Sequence, residues 1–250
     1  MKKYLAIAMA ALLLTLSLAS CVGNTGDGIG EYTPEVDYLV TEQGTFYFKE
    51  AEGETAILTN YVGKATKDDH VVIPATWGDR IVTAIGAEAF RGKAAIVGVE
   101  IPDTVISIEY QAFANCTELT ELTLPDSLLT IGKQAFANCT ALTSVKFGKS
   151  LTAIDAEAFW KCDKLTTLEF PASLETIGDG AFWMCTGLTS VTFPASLKKI
   201  GELGFYHCYN LQDVVVPEGV EMGEYVFAVD EKDTGMETEA ATEAATDPAE

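Results

Sequence analysis

Leu188-Thr189-Ser190-Val191-Thr192-Phe193-Pro194-Ala195-Ser196-Leu197-Lys198-Lys199-Ile200-Gly201-Glu202-Leu203-Gly204-Phe205-Tyr206-His207-Cys208 is one copy of a unit that recurs along the chain. Its Phe205 has counterparts at Phe90, Phe113, Phe136, Phe159 and Phe182, a constant step of 23 residues. Two more columns keep the step as Ile85, Ile108, Ile131, Ile154, Ile177, Ile200 and as Leu119, Leu142, Leu165, Leu188, Leu211. A third runs Cys116, Cys139, Cys162, Cys185, Cys208, and a fourth Leu122, Val145, Leu168, Val191, Val214. The last is Pro102, Pro125, Pro171, Pro194, Pro217, with Gly148 in its one gap. Six columns in phase exclude coincidence. A unit this short does not bury its own apolar face, so neighbours must stack and share one core. Each unit is one coil of an α/β repeat solenoid.

Within the quoted copy, Leu188, Val191 and Phe193 end in a strand-like alternation, and Pro194 stops the ladder. Leu197 and Ile200 point inward, and Gly201 permits the turn that leads away. Leu203 to Cys208 reads as a short helical turn whose Phe fills the centre of the coil, opposite the strands of the main face.

The pattern Leu-x-x-Leu-x-Leu-Pro, then Ser-Leu-x-x-Ile-Gly-x-x-Ala-Phe-x-x-Cys, resembles the bacterial BspA-type leucine-rich-repeat family over residues 73–229. Asn115-Cys116 and Asn138-Cys139 match its small-residue-then-Cys ending. The resemblance implies a right-handed leucine-rich-repeat coil. The first coil departs from the pattern: Pro74 lies 16 residues before Phe90, whereas Pro102 lies 11 before Phe113, an insertion of five around Trp77-Gly78-Asp79-Arg80. Residues 36–72, with Thr45-Phe46-Tyr47-Phe48 and Ala56-Ile57-Leu58, read as an N-terminal β-hairpin cap, because an uncovered end coil exposes core and unpaired strand edge. Phe227 follows Phe205 by 22 residues with no Cys after it, so the last coil is degenerate and is expected to cap the other end.

The flanks read differently. Met1-Lys2-Lys3 followed by an apolar stretch over residues 4–18 is a targeting segment, too short to span a membrane. Leu18-Ala19-Ser20-Cys21 resembles the bacterial lipobox, which implies a signal peptide over residues 1–20 and diacylation of Cys21. Two acyl chains give a stable anchor where one is marginal, so the only membrane attachment expected is the lipid. Residues 21–35 are rich in Gly, Asn, Thr and Asp and read as a tether. Residues 230–250 repeat Thr-Glu-Ala-Ala and read as a disordered acidic tail.

Formal charge is −21, and the last 21 residues hold eight acids against Lys232 alone. Such a chain repels nucleic acid and anionic membrane surfaces. The five cysteines after Cys21 belong to the repeat. Equivalent residues of stacked coils lie roughly 5 Å apart but point in parallel, so they pair poorly as disulfides and are expected as buried free thiols. His70 and His207 are the only histidines and are out of phase with that column, so no metal or cofactor is expected. His207 sits beside Cys208 because that Cys belongs to the ladder, which argues against a catalytic pair. A glycan-degrading enzyme needs two convergent carboxylates. Glu121 and Glu169 are two coils apart, about 10 Å, with nothing to tune an acid, so no catalytic residues are assigned.

Binding is left to the side chains that the repeat does not fix. The strand face offers Thr120, Thr143, Lys146, Thr166, Glu169, Thr189 and Thr192 among others. A second candidate is the position after the repeating Phe, which reads Arg91, Ala114, Ala137, Trp160, Trp183, Tyr206; with Tyr209 nearby, these aromatics mark an interface or a sugar site. A bland reading stands beside each: a solvated sheet, and rings that only cover the edge of the core. The family resemblance implies adhesion or ligand capture at the cell surface, with an extracellular protein or glycan as partner. The alternative is a scaffold holding another envelope protein of the same cell.

Overall fold

A computed structural model describes residues 37–63 and 69–228. The sequence expectations for residues 1–20, 21–35 and 230–250, Cys21 included, lie outside them. No described helix is long and apolar enough to cross a membrane.

The repeat folds because each coil contributes two short parallel strands, and the same columns stack in every coil. On one side, β7 (Ile96–Glu100), β9 (Glu121–Thr123) and β11 (Ser144–Lys146) form a sheet with β4 (Asp69–Val72) at its edge. The ladder breaks there and resumes as β13 (Thr167–Glu169) paired with β15 (Ser190–Thr192). These are the main-face strands, with Leu122, Val145, Leu168 and Val191 in register. The longer sheet runs through the Ile column. It contains β6 (Arg80–Ile85), β8 (Ser107–Ile108), β10 (Thr130–Ile131), β12 (Ala153–Ile154), β14 (Thr176–Ile177), β16 (Lys199–Ile200) and β17 (Glu221–Met222), all parallel. The sequence reading placed strands on the main face alone. This second sheet was hidden because only two residues per coil pair in it.

At the N-terminal end, β1 (Tyr38–Val40), β2 (Gly44–Glu50) and β3 (Thr55–Gly63) pair antiparallel in that order, and β3 then pairs in parallel with β6. The five-residue insertion is a small hairpin of β5 (Thr76–Trp77) on β6, turning at Gly78, whose φ is +58°. Trp77 stacks on Phe48 at 5.5 Å, which ties the insertion to the N-terminal strands.

The core is one stack of rings. Phe90, Phe113, Phe136, Phe159, Phe182 and Phe205 are at most 1% exposed, with centroids 4.7–5.2 Å apart and planes within 11° of parallel. Tyr61 and Phe46 extend the stack at one end and Phe227 at the other. From the fourth coil a second file joins, Phe147, Phe170 and Phe193, the first and last meeting the main stack edge-on. Gly148 fills the gap in the proline column for a steric reason: a Cβ there would lie 1.9 Å from the carbonyl oxygen of Pro125.

The segments read as helical turns are not helical; the described residues contain no helix. In each coil the residues two before and two after the repeating Phe take positive φ, as at Gln111 (52°) and Asn115 (62°), or Glu157 (57°) and Lys161 (57°). That alternation breaks an α-helix. The amides instead alternate between partners. Gln111, Phe113 and Asn115 donate to Lys133, Ala135 and Ala137 of the next coil, while Ala112, Ala114 and Cys116 donate three residues back to Glu109, Gln111 and Phe113. Each turn thus satisfies its own backbone and binds its neighbour as well.

Candidate functional site

The Thr column of the strand face is built into the fold. Thr120, Thr143, Thr166 and Thr189 each donate a hydroxyl hydrogen bond one coil back, to the carbonyls of Val97, Thr120, Thr143 and Thr166, at 3.1, 3.0, 3.5 and 3.1 Å. These four candidates latch coils together. Lys146, Glu169 and Thr192 stand exposed on β11, β13 and β15. Glu169 faces Thr192 across the strand pair, and Lys146 lies on the far side of the ladder break.

The cysteine column has an equally definite job. Cys116, Cys139, Cys162, Cys185 and Cys208 are free and buried. Each thiol donates to the carbonyl of the Phe in the preceding coil at 3.2–3.4 Å. Burial pushes the Cys116 and Cys208 thiols up to about 12 and the other three well above their ordinary value. A nucleophile needs a thiolate, and this environment opposes one. The His207 ring stacks between Tyr206 (3.9 Å) and Tyr209 (5.2 Å), while the Cys208 thiol donates to the Phe182 carbonyl. Among the described residues no group of three His, Cys, Asp or Glu is placed to hold a metal ion.

The aromatic candidates do come together. Trp160 and Trp183 lie 6.0 Å apart, Trp183 and Tyr206 6.4 Å, and the file continues through His207 to Tyr209. The Trp and Tyr206 rings are half-buried, and Tyr209 is exposed. Lys161 places its ammonium 5.0 Å over the Trp160 ring, a cation–π contact. In the two preceding coils the same position is a buried alanine, Ala114 and Ala137, so the stripe begins abruptly at the fourth coil.

Four buried side-chain polar atoms among the described residues lack a hydrogen-bond partner: Thr104 Oγ1, Gln111 Oε1, Trp160 Nε1 and Trp183 Nε1. Native structures leave few such groups, and each calls for an explanation. Two follow from the irregular first coil. Ser127, Ser173 and Ser196, which stand where Thr104 does, donate one coil back to Val105, Leu151 and Leu174; Thr104 faces the coil that carries the insertion. Gln111 opens a side-chain ladder in which its amide donates to Gln134 and Gln134 donates to Glu157. Before it stands Glu88, which pairs with Arg91. The other two orphans are neighbouring indoles of the aromatic stripe. The sequence marked the stripe by its columns; the Gln111–Gln134–Glu157 ladder was missed, although Gln111 and Gln134 repeat in phase.

Comparison with known proteins agrees with the geometry. The family described as the BspA type Leucine rich repeat region matches residues 83–212 in six copies. Among solved structures, the T. pallidum Leucine Rich Repeat protein is 33% identical, with a TM-score of 0.68 over 71% of this chain and 83% of that one. A leucine rich cell surface protein from Faecalibacterium prausnitzii A2-165 is also 33% identical, with a TM-score of 0.65 over 76% of this chain; this chain spans 52% of that protein. A leucine-rich repeat protein from Bacteroides ovatus ATCC 8483 is 28% identical, with a TM-score of 0.57, covering 77% and 57% of the two chains. No curated protein matches. With its repeat columns, its two-sheet coil and these matches, the chain belongs to the BspA-type leucine-rich-repeat family.

Proposed function

We propose that this protein is a cell-surface leucine-rich-repeat lipoprotein, anchored through Cys21, that captures an extracellular protein or glycan on the aromatic stripe of Trp160, Trp183, Tyr206 and Tyr209, without catalysing a reaction. The observation that carries the reading is the file of neighbouring part-exposed rings that replaces the buried alanines of the preceding coils. Half-buried rings with a polar handle suit an interface. The strand face is the weaker site, because four of its threonines are already engaged within the fold. Surface location rests on the lipobox-like Leu18-Ala19-Ser20-Cys21 and on the likeness to the leucine rich cell surface protein from Faecalibacterium prausnitzii.

The test is binding of the purified protein to an array of extracellular-matrix proteins and glycans, with the Trp160→Ala/Trp183→Ala variant beside it. Binding by the parent, lost in the variant while circular dichroism is unchanged, is the expected result. Binding retained by the variant would move the site to Lys146, Glu169 and Thr192. Accumulation of unprocessed precursor under globomycin tests the anchor separately.

A further inference from the structure

The first coil breaks the cysteine column. Lys93 stands three residues after Phe90, where Cys116, Cys139, Cys162, Cys185 and Cys208 stand after their own Phe. Each thiol finds a Phe carbonyl in the coil before it. Lys93 has no coil of that kind before it. Beside it is a cavity of about 300 Å³, lined among the described residues by Tyr61, Val62 and Gly63 at the end of β3 and by Gly92, Lys93 and Ile96 of the first coil.

Among the described lining residues Lys93 carries the only charge, and the larger part of the wall is apolar. Tyr61 and Ile96 are 1% and 2% exposed and form a fixed floor. Gly63 lets the Tyr61 ring lie against the backbone: a Cβ there would come within 2.7 Å of the ring. Gly92, with φ +70°, has nothing within 4 Å of its missing Cβ and leaves that side open. Lys93 is half-buried, and its charge is felt by the neighbouring Cys116.

Among the described residues the Lys93 ammonium makes no hydrogen bond or ion pair. Among the described residues Lys49, Lys146 and Lys164 also make no ion pair but are exposed, and Lys161 lies over the Trp160 ring; Lys93 is half-buried beside the cavity. Arg80, Arg91, Lys133, Lys149, Lys198 and Lys199 all reach a carboxylate, though most of them are exposed. A half-buried ammonium beside apolar walls suits a carboxylate, because a charge-assisted hydrogen bond is stronger than a neutral one. The volume sits at the lower bound of ligand pockets, about 300 Å³, enough for one ring or a short chain.

We propose that this cavity binds a small organic monocarboxylate, its apolar part against Tyr61 and Ile96 and its carboxylate accepting a hydrogen bond from Lys93 Nζ. The site is separate from the aromatic stripe.

The experiment is titration of the full chain with benzoate, benzyl alcohol and inorganic phosphate, followed by calorimetry and ligand-observed NMR. Two variants accompany it. Lys93→Met keeps the stem without the charge, and Lys93→Cys restores the residue of the other coils. We expect saturable benzoate binding by the parent and about ten- to a hundredfold weaker binding by both variants, the loss of one hydrogen bond to a charged group. Unfolding midpoints should be unchanged, and the Trp160→Ala/Trp183→Ala variant should bind benzoate like the parent. The proposal is overturned by absent benzoate binding, by equal binding in the Lys93 variants, or by equal binding of benzyl alcohol or phosphate, which would reduce Lys93 to a non-specific contact.

Discussion

At the scale of single residues, the cysteines are the clearest case of a repeat choosing a side chain for two reasons. A thiol is small and apolar enough for the centre of the coil, and it gives a second donor to a Phe carbonyl that already accepts the backbone N–H three residues on. The cost appears at high pH. All five thiols are held above the ordinary cysteine value of 9.0, Cys116 and Cys208 near 12, first of all by burial. Below pH 9 the thiol is neutral in both folded and unfolded chains, and the full stability is present. Between 9 and 12 the unfolded chain releases these protons and the folded one does not, so stability falls as pH rises, by about 1.4 kcal/mol per cysteine per pH unit. Urea midpoints measured from pH 8 to pH 10.5 should therefore decline steeply above 9. Cys162→Ala, which removes the thiol donor of the Phe136 carbonyl and leaves a gap in the core, should be less stable at pH 7 yet show a shallower decline. An unchanged slope in that variant would show that other groups govern the alkaline limb.

At the scale of elements, the coil separates positions that carry the fold from positions that trim it. Phe136 is stacked on both faces, at 5.2 Å from Phe113 and from Phe159, so Phe136→Ala should cost about 3–5 kcal/mol. Phe227 is half-buried and stacks on Phe205 at the end of the file, so Phe227→Ala should cost clearly less. Thr143→Val removes one exposed hydroxyl latch and should cost about 1 kcal/mol. Denaturant unfolding of the three variants orders them, and a Thr143 effect as large as that of Phe136 would contradict this division. The columns made the core and the main strands legible, because burial repeats whenever residue type does. The turn was misread because its conformation is carried by backbone position more than by residue type. Gly92, Asn115, Asn138 and Gly180 are residues that accept positive φ, but Glu88, Gln134, Lys161 and Leu203 adopt it too, and nothing in their chemistry announces it. The aromatic stripe was visible as a broken alanine column. The orphaned indoles were not, since satisfaction of a donor depends on neighbours three-dimensionally placed.

At the scale of the whole molecule, each coil meets chiefly the coil before and the coil after, through the Ile ladder, the Phe stack and the alternating turn amides. Stability is then close to a sum over coils and their junctions, and phase matters more than length. Removal of residues 117–139, one full period of 23, joins Cys116 to Thr140. It brings Phe113 over Phe159, and β11 beside β7, with every column in register. Removal of residues 117–136 takes away less chain but shifts every later column by three, turning Phe and Ile positions off the core. The shorter, in-phase protein should fold cooperatively, with far-ultraviolet circular dichroism per residue like that of the parent, a smaller denaturant m-value in proportion to the surface lost, and a modest drop in stability. The out-of-phase protein should show no cooperative transition for the region beyond residue 116. If both deletions behaved alike, the solenoid would not be held together by nearest-neighbour register, and the contacts that hold it would have to run across several coils at once.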